Sequence, residues 1–262
     1  MIDLHSHILP RLDDGTVSAE EAREVARAAL ADGVEVMAAT PHVRADFPTT
    51  PEQMERGVEE LRADFEREGI ALEVVPGGEV ELDWLGSLSP DELERFTLGQ
   101  TGRYLLVEFP YFGWPLPLEA AIHSLRRSGV TPILAHPERN ADVQERPERL
   151  EAAVSAGALI QVTAGSLEGN VGRAARRAAR RLLALELVHV IASDAHSPLV
   201  RSAGLSRARA AVGDEGLAAY LLEEAPAQIL AGEPVRLFRQ GTARGPRLNG
   251  IARLIRSTTA NR

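Results

Sequence analysis

Met1-Ile-Asp-Leu-His5-Ser-His7-Ile-Leu-Pro-Arg-Leu-Asp13-Asp14-Gly15 opens the chain and decides how the rest is read. Ile2 to Leu4 reads as a short buried strand, with His5 and His7 where it ends. Side chains alternate along an extended backbone, so both imidazoles lie on one face and can reach one ion together. The Leu-Asp-Asp-Gly that follows is turn chemistry, which brings a carboxylate back toward the strand end. His-x-His alone matches many structural histidines. Its weight comes from what recurs downstream.

Working outward, apolar strands of three to six residues alternate with amphipathic helices along the whole chain. The strands read as Ile2 to Leu4, Val34 to Ala39, Ala71 to Val75, Tyr104 to Val107, Thr131 to Ala135, Leu159 to Thr163 and Val188 to Ala192. Ser18 and Glu21 start a first helix that Asp32-Gly33 stops; Thr50-Pro51 opens a second, ended by Gly69. Ser89 to Glu92 caps a short helix, and further helices are expected at about 116–128, 147–156, 172–185, 205–212 and 215–224. This pattern belongs to a parallel sheet covered by helices, and seven strands without a linker favour an α/β barrel. At 262 residues one such domain is ordinary. It is expected over 1–233, with a basic C-terminal extension over 234–262: seven arginines and no acidic residue follow Glu233. Gly250 to Arg256 could form a short amphipathic helix on a membrane or acidic partner, but a solvated, disordered tail is the commoner outcome.

Composition excludes several chemistries. With no cysteine there is no disulfide, thiolate ligand or cysteine nucleophile. With no lysine, all 29 basic residues being arginine, there is no Schiff base, phosphate-loop lysine or carboxylated-lysine bridge. A net charge of −9 argues against a nucleic-acid binder. No apolar run approaches the ~18 residues of a membrane span, and no signal peptide precedes the first strand, so a cytoplasmic location is expected.

In α/β barrels functional groups gather at the carboxyl ends of strands. Here those ends carry His5 and His7, His42, Glu79, Glu108, His136, then Asp194 and His196. Only the sixth strand ends without a metal-binding residue. Five of the seven histidines fall at these positions; His123, inside a helix, and His189, inside a strand, read as structural. So many imidazoles and carboxylates, without sulfur, exceed the needs of one ion and suit a carboxylate-bridged cluster of Mn²⁺, Fe²⁺ or Zn²⁺. Such ions supply hydroxide near neutral pH and offset anionic charge. Arg139, three residues after His136, and Arg201, five after His196, bring two guanidinium forks, which suggests phosphate.

These residues resemble the polymerase and histidinol phosphatase (PHP) superfamily. Within it they are most similar to the bacterial manganese-dependent protein-tyrosine phosphatases of capsule and exopolysaccharide loci. The resemblance rests on Ile2 to Pro10 with Leu12 to Gly15, Ala39 to His42, Gly78-Glu79, Leu106 to Pro110, Leu134 to Asn140, Gln161 to Leu167 and Ser193 to Ser197. Ser6 stands where cysteine is frequent and Val171 where an aromatic is common; neither is a ligand position. The resemblance implies a distorted (β/α)7 TIM-like barrel with three metals at the carboxyl ends of its strands. His5, His7, Glu79 and Asp194 would hold one. Glu79 would bridge to a second, held also by Glu108 and His136, and Asp14, His42 and His196 would hold the third. Glu81 and Asp13 are the nearest competitors of Glu79 and Asp14. Arg139 and Arg201 would grip the phosphate, with Asp14 and His42 counted beside them as catalytic.

The implied reaction is hydrolysis of protein phosphotyrosine by a metal-bridging hydroxide, without a phosphoenzyme. The implied substrate is the tail of a bacterial tyrosine autokinase regulating polysaccharide synthesis; assembly state is left open. A PHP phosphoesterase for a small substrate such as histidinol phosphate is the alternative. An amidohydrolase and a non-catalytic module of the same fold are more distant ones.

Overall fold

Two of the expected strands bend just before the candidate ligands, and these bends set the architecture. The computed structural model describes residues 1–198, 204–235 and 238. Arg201 and nearly all of the 234–262 extension lie outside the described residues. The second expected strand forms as β2 (Val36–Ala39), stops at Thr40-Pro41, and resumes as β3 (His42–Arg44). The third forms as β5 (Glu73–Pro76), breaks at Gly77-Gly78, and resumes as β6 (Glu79–Glu81). A two-residue β4 (Phe47–Pro48) folds back antiparallel on β3. The other strands are β1 (Ile2–Asp3), β7 (Tyr104–Glu108), β8 (Thr131–Ala135), β9 (Leu159–Thr163) and β10 (Val190–Ala192).

Because of the bends, two chain segments serve two sheets. A three-stranded sheet has the order β1-β2-β5, and a seven-stranded sheet the order β10-β9-β8-β7-β6-β3-β4. Every pairing is parallel except β3 with β4. The seven expected staves therefore follow one another in chain order, as an α/β barrel requires, but no single continuous ladder encloses them. The outer staves meet through an isolated parallel bridge between Ser6 and Ala195. Backbone bonds from His7 N to Ala195 O (2.8 Å) and from Asp194 N to His5 O (2.9 Å) flank it. The departure from a closed ladder has a local cause. Proline gives no N–H to a ladder, and glycine weakens one. A Cβ on Gly78 would lie 2.6 Å from the Phe96 ring, so only glycine lets the chain pass under that side chain.

Alternation along the strands divides the core in two. One set of side chains points inward between the staves: Leu4, Val36, Leu106, Ile133 and Val190, closed at the base by Ile229 and Leu230. The other set, including Met37, Val107, Leu134 and Ile160, packs outward against the helices. Those helices are α1 (Ala19–Ala31), α2 (Pro51–Glu68), α3 (Pro90–Phe96), α4 (Leu118–Arg127), α5 (Ala141–Glu145), α6 (Leu150–Ser155), α7 (Ala164–Glu168), α8 (Arg173–Ala184), α9 (Ser206–Val212), α10 (Glu215–Ala219) and α11 (Ala225–Leu230). The expected start and stop signals operate. Thr50 and Gln53 form a reciprocal capping box on α2, with Pro51 in its first turn and Gly69 left-handed at its end. The last helix continues past its expected end through a π turn at Tyr220–Glu224, where Ala225 N donates to Tyr220 O, into α11, which holds Pro226 in its first turn.

Candidate metal centre

His5 and His7 leave β1 on the same face and point their Nε2 atoms at each other, 3.2 Å apart. The other ring nitrogen of each is committed. His5 Nδ1 lies 3.0 Å from Gln161 Oε1, and His7 Nδ1 lies 2.6 Å from Asp13 Oδ2. In the neutral rings an acceptor at Nδ1 places the proton there, and both Nε2 atoms then face each other as lone pairs. Two buried lone pairs at that distance repel unless a cation stands between them.

Glu79, the first residue after the Gly77-Gly78 bend, lies fully buried among these rings. Its Oε2 is 3.3 Å from His5 Nε2, 3.4 Å from His7 Nε2 and 3.0 Å from His42 Nδ1, while Oε1 is 2.9 Å from His136 Nε2. Asp194 Oδ1 completes this side, 3.5 Å from both His5 and His7 Nε2. Asp14 Oδ1 lies 3.5 Å from His42 Nε2 and 3.4 Å from His196 Nε2. Ligands held about 2.1 Å from one ion at tetrahedral or octahedral angles stand roughly 3.0–3.4 Å apart. The donors here have that spacing. Buried Glu79 Oε2 makes no hydrogen bond, as expected of an atom kept for another partner.

Among the described residues the donors fall into four groups within 4.8 Å: His7, Asp14, His42 and His196; His5, His7 and Asp194; His5, Glu79 and His136; and His42, Glu79 and Glu108. Asp14 thus joins a group and Asp13 does not. Asp13 accepts from His7, from His42 N (2.9 Å) and from Gly15 N (2.9 Å), which makes it the clamp that holds the first turn in place. Glu108 and His136, expected to share an ion, fall in different groups joined only through Glu79. The reason is Arg44, whose Nη1 donates to both Glu108 oxygens at 2.9 and 3.2 Å and draws the carboxylate toward His42. Glu81 pairs with Glu108 in the β6–β7 register and belongs to no group.

Charge follows the same geometry. Burial would raise the Glu79 pKa, but His5 and His42 outweigh it and hold the carboxyl well below the usual range. Burial and the neighbouring Glu79 raise Glu108. Burial would lower His7, but the Asp13 carboxylate outweighs it and keeps the ring well above its ordinary value. Asp14 is lowered, chiefly by its bond to His196. Arg139 Nη1 donates to Asp194 Oδ2 at 2.8 Å, and its guanidinium lies 4.8 Å above the Tyr111 ring. Tyr111 is also stacked on His136 at 5.7 Å, and burial pushes its phenol up to about 12.

Sequence reasoning missed Gln161, Arg44 and Tyr111. Gln161 stands on β9, the strand whose end carries no metal-binding residue. Its signal is an amide flanked by Ile160 and Val162 in the buried run Leu159-Ile-Gln-Val-Thr163. Arg44 and Tyr111 carry no signal in so arginine-rich a chain, since their roles depend on the β3 bend and on the fold of the loop after β7.

A family model described as capsular polysaccharide synthesis, CpsB/CapC, matches residues 1–231. The chain belongs to the CpsB/CapC family. A tyrosine-protein phosphatase, YwqE of Bacillus subtilis (strain 168), is 36% identical over 205 residues, spanning 77% of this chain and 80% of that protein. A tyrosine-protein phosphatase, CpsB of Streptococcus agalactiae serotype III, is 28% identical over 219 residues, 79% and 88% of the two chains. A solved structure, from work describing YwqE of Bacillus subtilis and CpsB of Streptococcus pneumoniae as metal-dependent tyrosine phosphatases, superposes with a TM-score of 0.84. It is 33% identical and covers 94% of this chain and all (100%) of the other. The fold is that of these CpsB/CapC phosphatases.

Proposed function

We propose that this CpsB/CapC chain is a metal-dependent phosphomonoesterase acting on protein phosphotyrosine. The observation that carries the reading is the meeting of imidazole lone pairs and carboxylate oxygens at ligand spacing, with Arg139 bound to one of those carboxylates. His5, His7, Glu79 and Asp194 would hold one ion, Glu79 with His136 and Glu108 a second, and Asp14, His42 and His196 a third. When bound, the ions supply Lewis acidity and make water nucleophilic near neutral pH. Nitrogen and oxygen donors without thiolate suit Mn²⁺, with Fe²⁺ or Zn²⁺ the nearest competitors.

The chain's own groups do the rest. Asp13 and Gln161 fix the His7 and His5 tautomers, so that both Nε2 atoms face inward. Arg139 spends one N–H on Asp194 and keeps the remaining edge of its guanidinium for phosphate oxygens. The Tyr111 ring holds that guanidinium at the level of His136. Arg201 is proposed as the second phosphate grip. The leaving phenolate has a pKa near ~10, so no strong general acid is needed. No serine or cysteine nucleophile stands among the donors, so direct transfer to water is the expected course.

Among the described residues no helix is long and apolar enough to cross a membrane. A cytoplasmic location and a tyrosine autokinase tail as substrate are proposed with the activity. The test is hydrolysis of phosphotyrosine peptides and of histidinol phosphate by chelator-stripped protein, across added Mn²⁺, Fe²⁺, Zn²⁺ and Mg²⁺. Activity restored by Mn²⁺ on the peptides is expected. Activity that survives the chelator, or a preference for histidinol phosphate, refutes the reading.

A further inference from the structure

Among the described residues the exposed large hydrophobic side chains are Val17, Phe112 and Leu116, at 63%, 85% and 93%. Single exposed apolar residues scattered over a surface are ordinary. These three are not scattered. Val17 follows Asp14 by three residues, and Phe112 and Leu116 share the loop that leaves the carboxyl end of β7, whose Tyr111, next to Phe112, stacks on His136 and lies under Arg139.

The loop 109–117 is firmly held. Asn140 Nδ2 donates to Pro110 O at 2.7 Å and to Gly113 O at 2.9 Å, and Ala141 N donates to Tyr111 O at 3.0 Å. Trp114 packs edge-on against Phe109 and lies 4.0 Å beneath the Arg149 guanidinium. The loop is thereby fastened to the segment that carries His136 and Arg139. Tyr111 turns inward onto both, and its neighbour Phe112 turns out. An ordered loop that keeps two apolar side chains in water is pre-organised for something that covers them.

We propose that this loop is a docking lip whose Phe112 and Leu116 take up apolar side chains flanking the phosphotyrosine of a polypeptide substrate. The proposal rests on the phosphotyrosine reading. A phosphotyrosine that reaches Arg139 with its phosphate leaves its main chain at the rim, where the lip stands. A small phosphoester ends short of it. The lip therefore separates protein substrates from small ones without touching the reacting atoms.

The experiment compares wild type with a Phe112→Ser, Leu116→Ser double variant, both loaded with Mn²⁺. Three substrates are used: p-nitrophenyl phosphate, a phosphotyrosine peptide with leucine on each side, and the same peptide with glycine on each side. Wild type is expected to favour the leucine peptide roughly tenfold in kcat/KM, as burial of one apolar side chain allows, with the difference in KM. In the double variant that ratio falls to about one, and the other two substrates keep their rates within about twofold. A wild-type ratio near one, a ratio retained by the variant, or equal losses on all three substrates overturns the lip. So does a wild-type dimer in sedimentation that the variant loses while the ratio persists, since a second copy then covers the loop. If wild type turns over p-nitrophenyl phosphate but neither peptide, the phosphotyrosine reading itself falls, and the lip with it.

Discussion

Asp13 and Gln161 touch no reacting atom, yet they decide what His7 and His5 can do. Removing either acceptor frees Nδ1 to lose its proton and lets the ring present the wrong tautomer. Asp13→Ala and Gln161→Leu are each expected to weaken Mn²⁺ binding about 10–100-fold, read by calorimetric titration. Asp13→Asn, which keeps an oxygen acceptor, should lose much less; equal losses for Asn and Ala would point to charge rather than orientation. Arg139 stands nearer the chemistry. Arg139→Ala should lower kcat/KM on a phosphotyrosine peptide by about 10²–10³, the usual cost of one donor to developing charge. A loss below about tenfold removes Arg139 from phosphate recognition.

At the scale of elements, the Gly77-Gly78 bend delivers Glu79 to the centre. Gly78→Ala drives a methyl into the Phe96 ring at 2.6 Å, and overpacking of this kind costs about 1–3 kcal/mol. Thermal melts should show that loss, and ion content after Mn²⁺ loading should fall with it, because Glu79 moves with the bend. A stable variant with full ion content contradicts this account. The bend also marks where the sequence stops being legible. The staves and long helices were readable because period and caps are local: α2 runs from Pro51 to Glu68 between Thr50 and Gly69, as those residues dictate. The breaks that turn two strands into four were not, although Pro41 and Gly77-Gly78 were in view, because whether a proline or glycine ends a strand or only bends it depends on the neighbouring stave. Nor was α7, which opens on Ala164-Gly-Ser directly after β9 and packs against α8 and α9. The candidate ligands were legible for the opposite reason, since a strand end is a sequence position and the fold maps strand ends to one place. Gln161 and Arg44 were hidden because their partners, His5 and Glu108, lie 156 and 64 residues away.

For the whole molecule, ions would join staves that the backbone ladder leaves separate. Ions at one hundred times their dissociation constant contribute about 2.7 kcal/mol per site. For a domain of this size a single site then raises the melting temperature by roughly 5–10 °C. Stripping with chelator should reverse the shift, and scanning calorimetry measures it; identical melts with and without chelator exclude ions from the fold's stability. Acid acts on a separate group. Burial pushes the His189 imidazole down to about 4 from its usual 6.5, and its Nδ1 accepts from Ile160 N. The unfolded chain therefore takes up a proton first, and stability falls as pH drops from about 6.5 to about 4, by about 3 kcal/mol in total. His189→Asn, which keeps the acceptor, should show a shallower loss across that window in metal-free melts. Parallel curves for the two proteins would place the acid sensitivity elsewhere.

The Ser6–Ala195 bridge carries one further consequence, for how the protein is made. Asp3 accepts from Ser193 N at 3.0 Å across 190 residues, and His5 and His7 meet Asp194 over the same span. At about 5–20 residues per second, a ribosome needs roughly 10–40 s to deliver the last stave after the first. Throughout that interval the leading histidines have no complete set of donors to share. On the proposed reading, metal loading would be a late event in the life of each nascent chain, and a chain released early would lack the donor set.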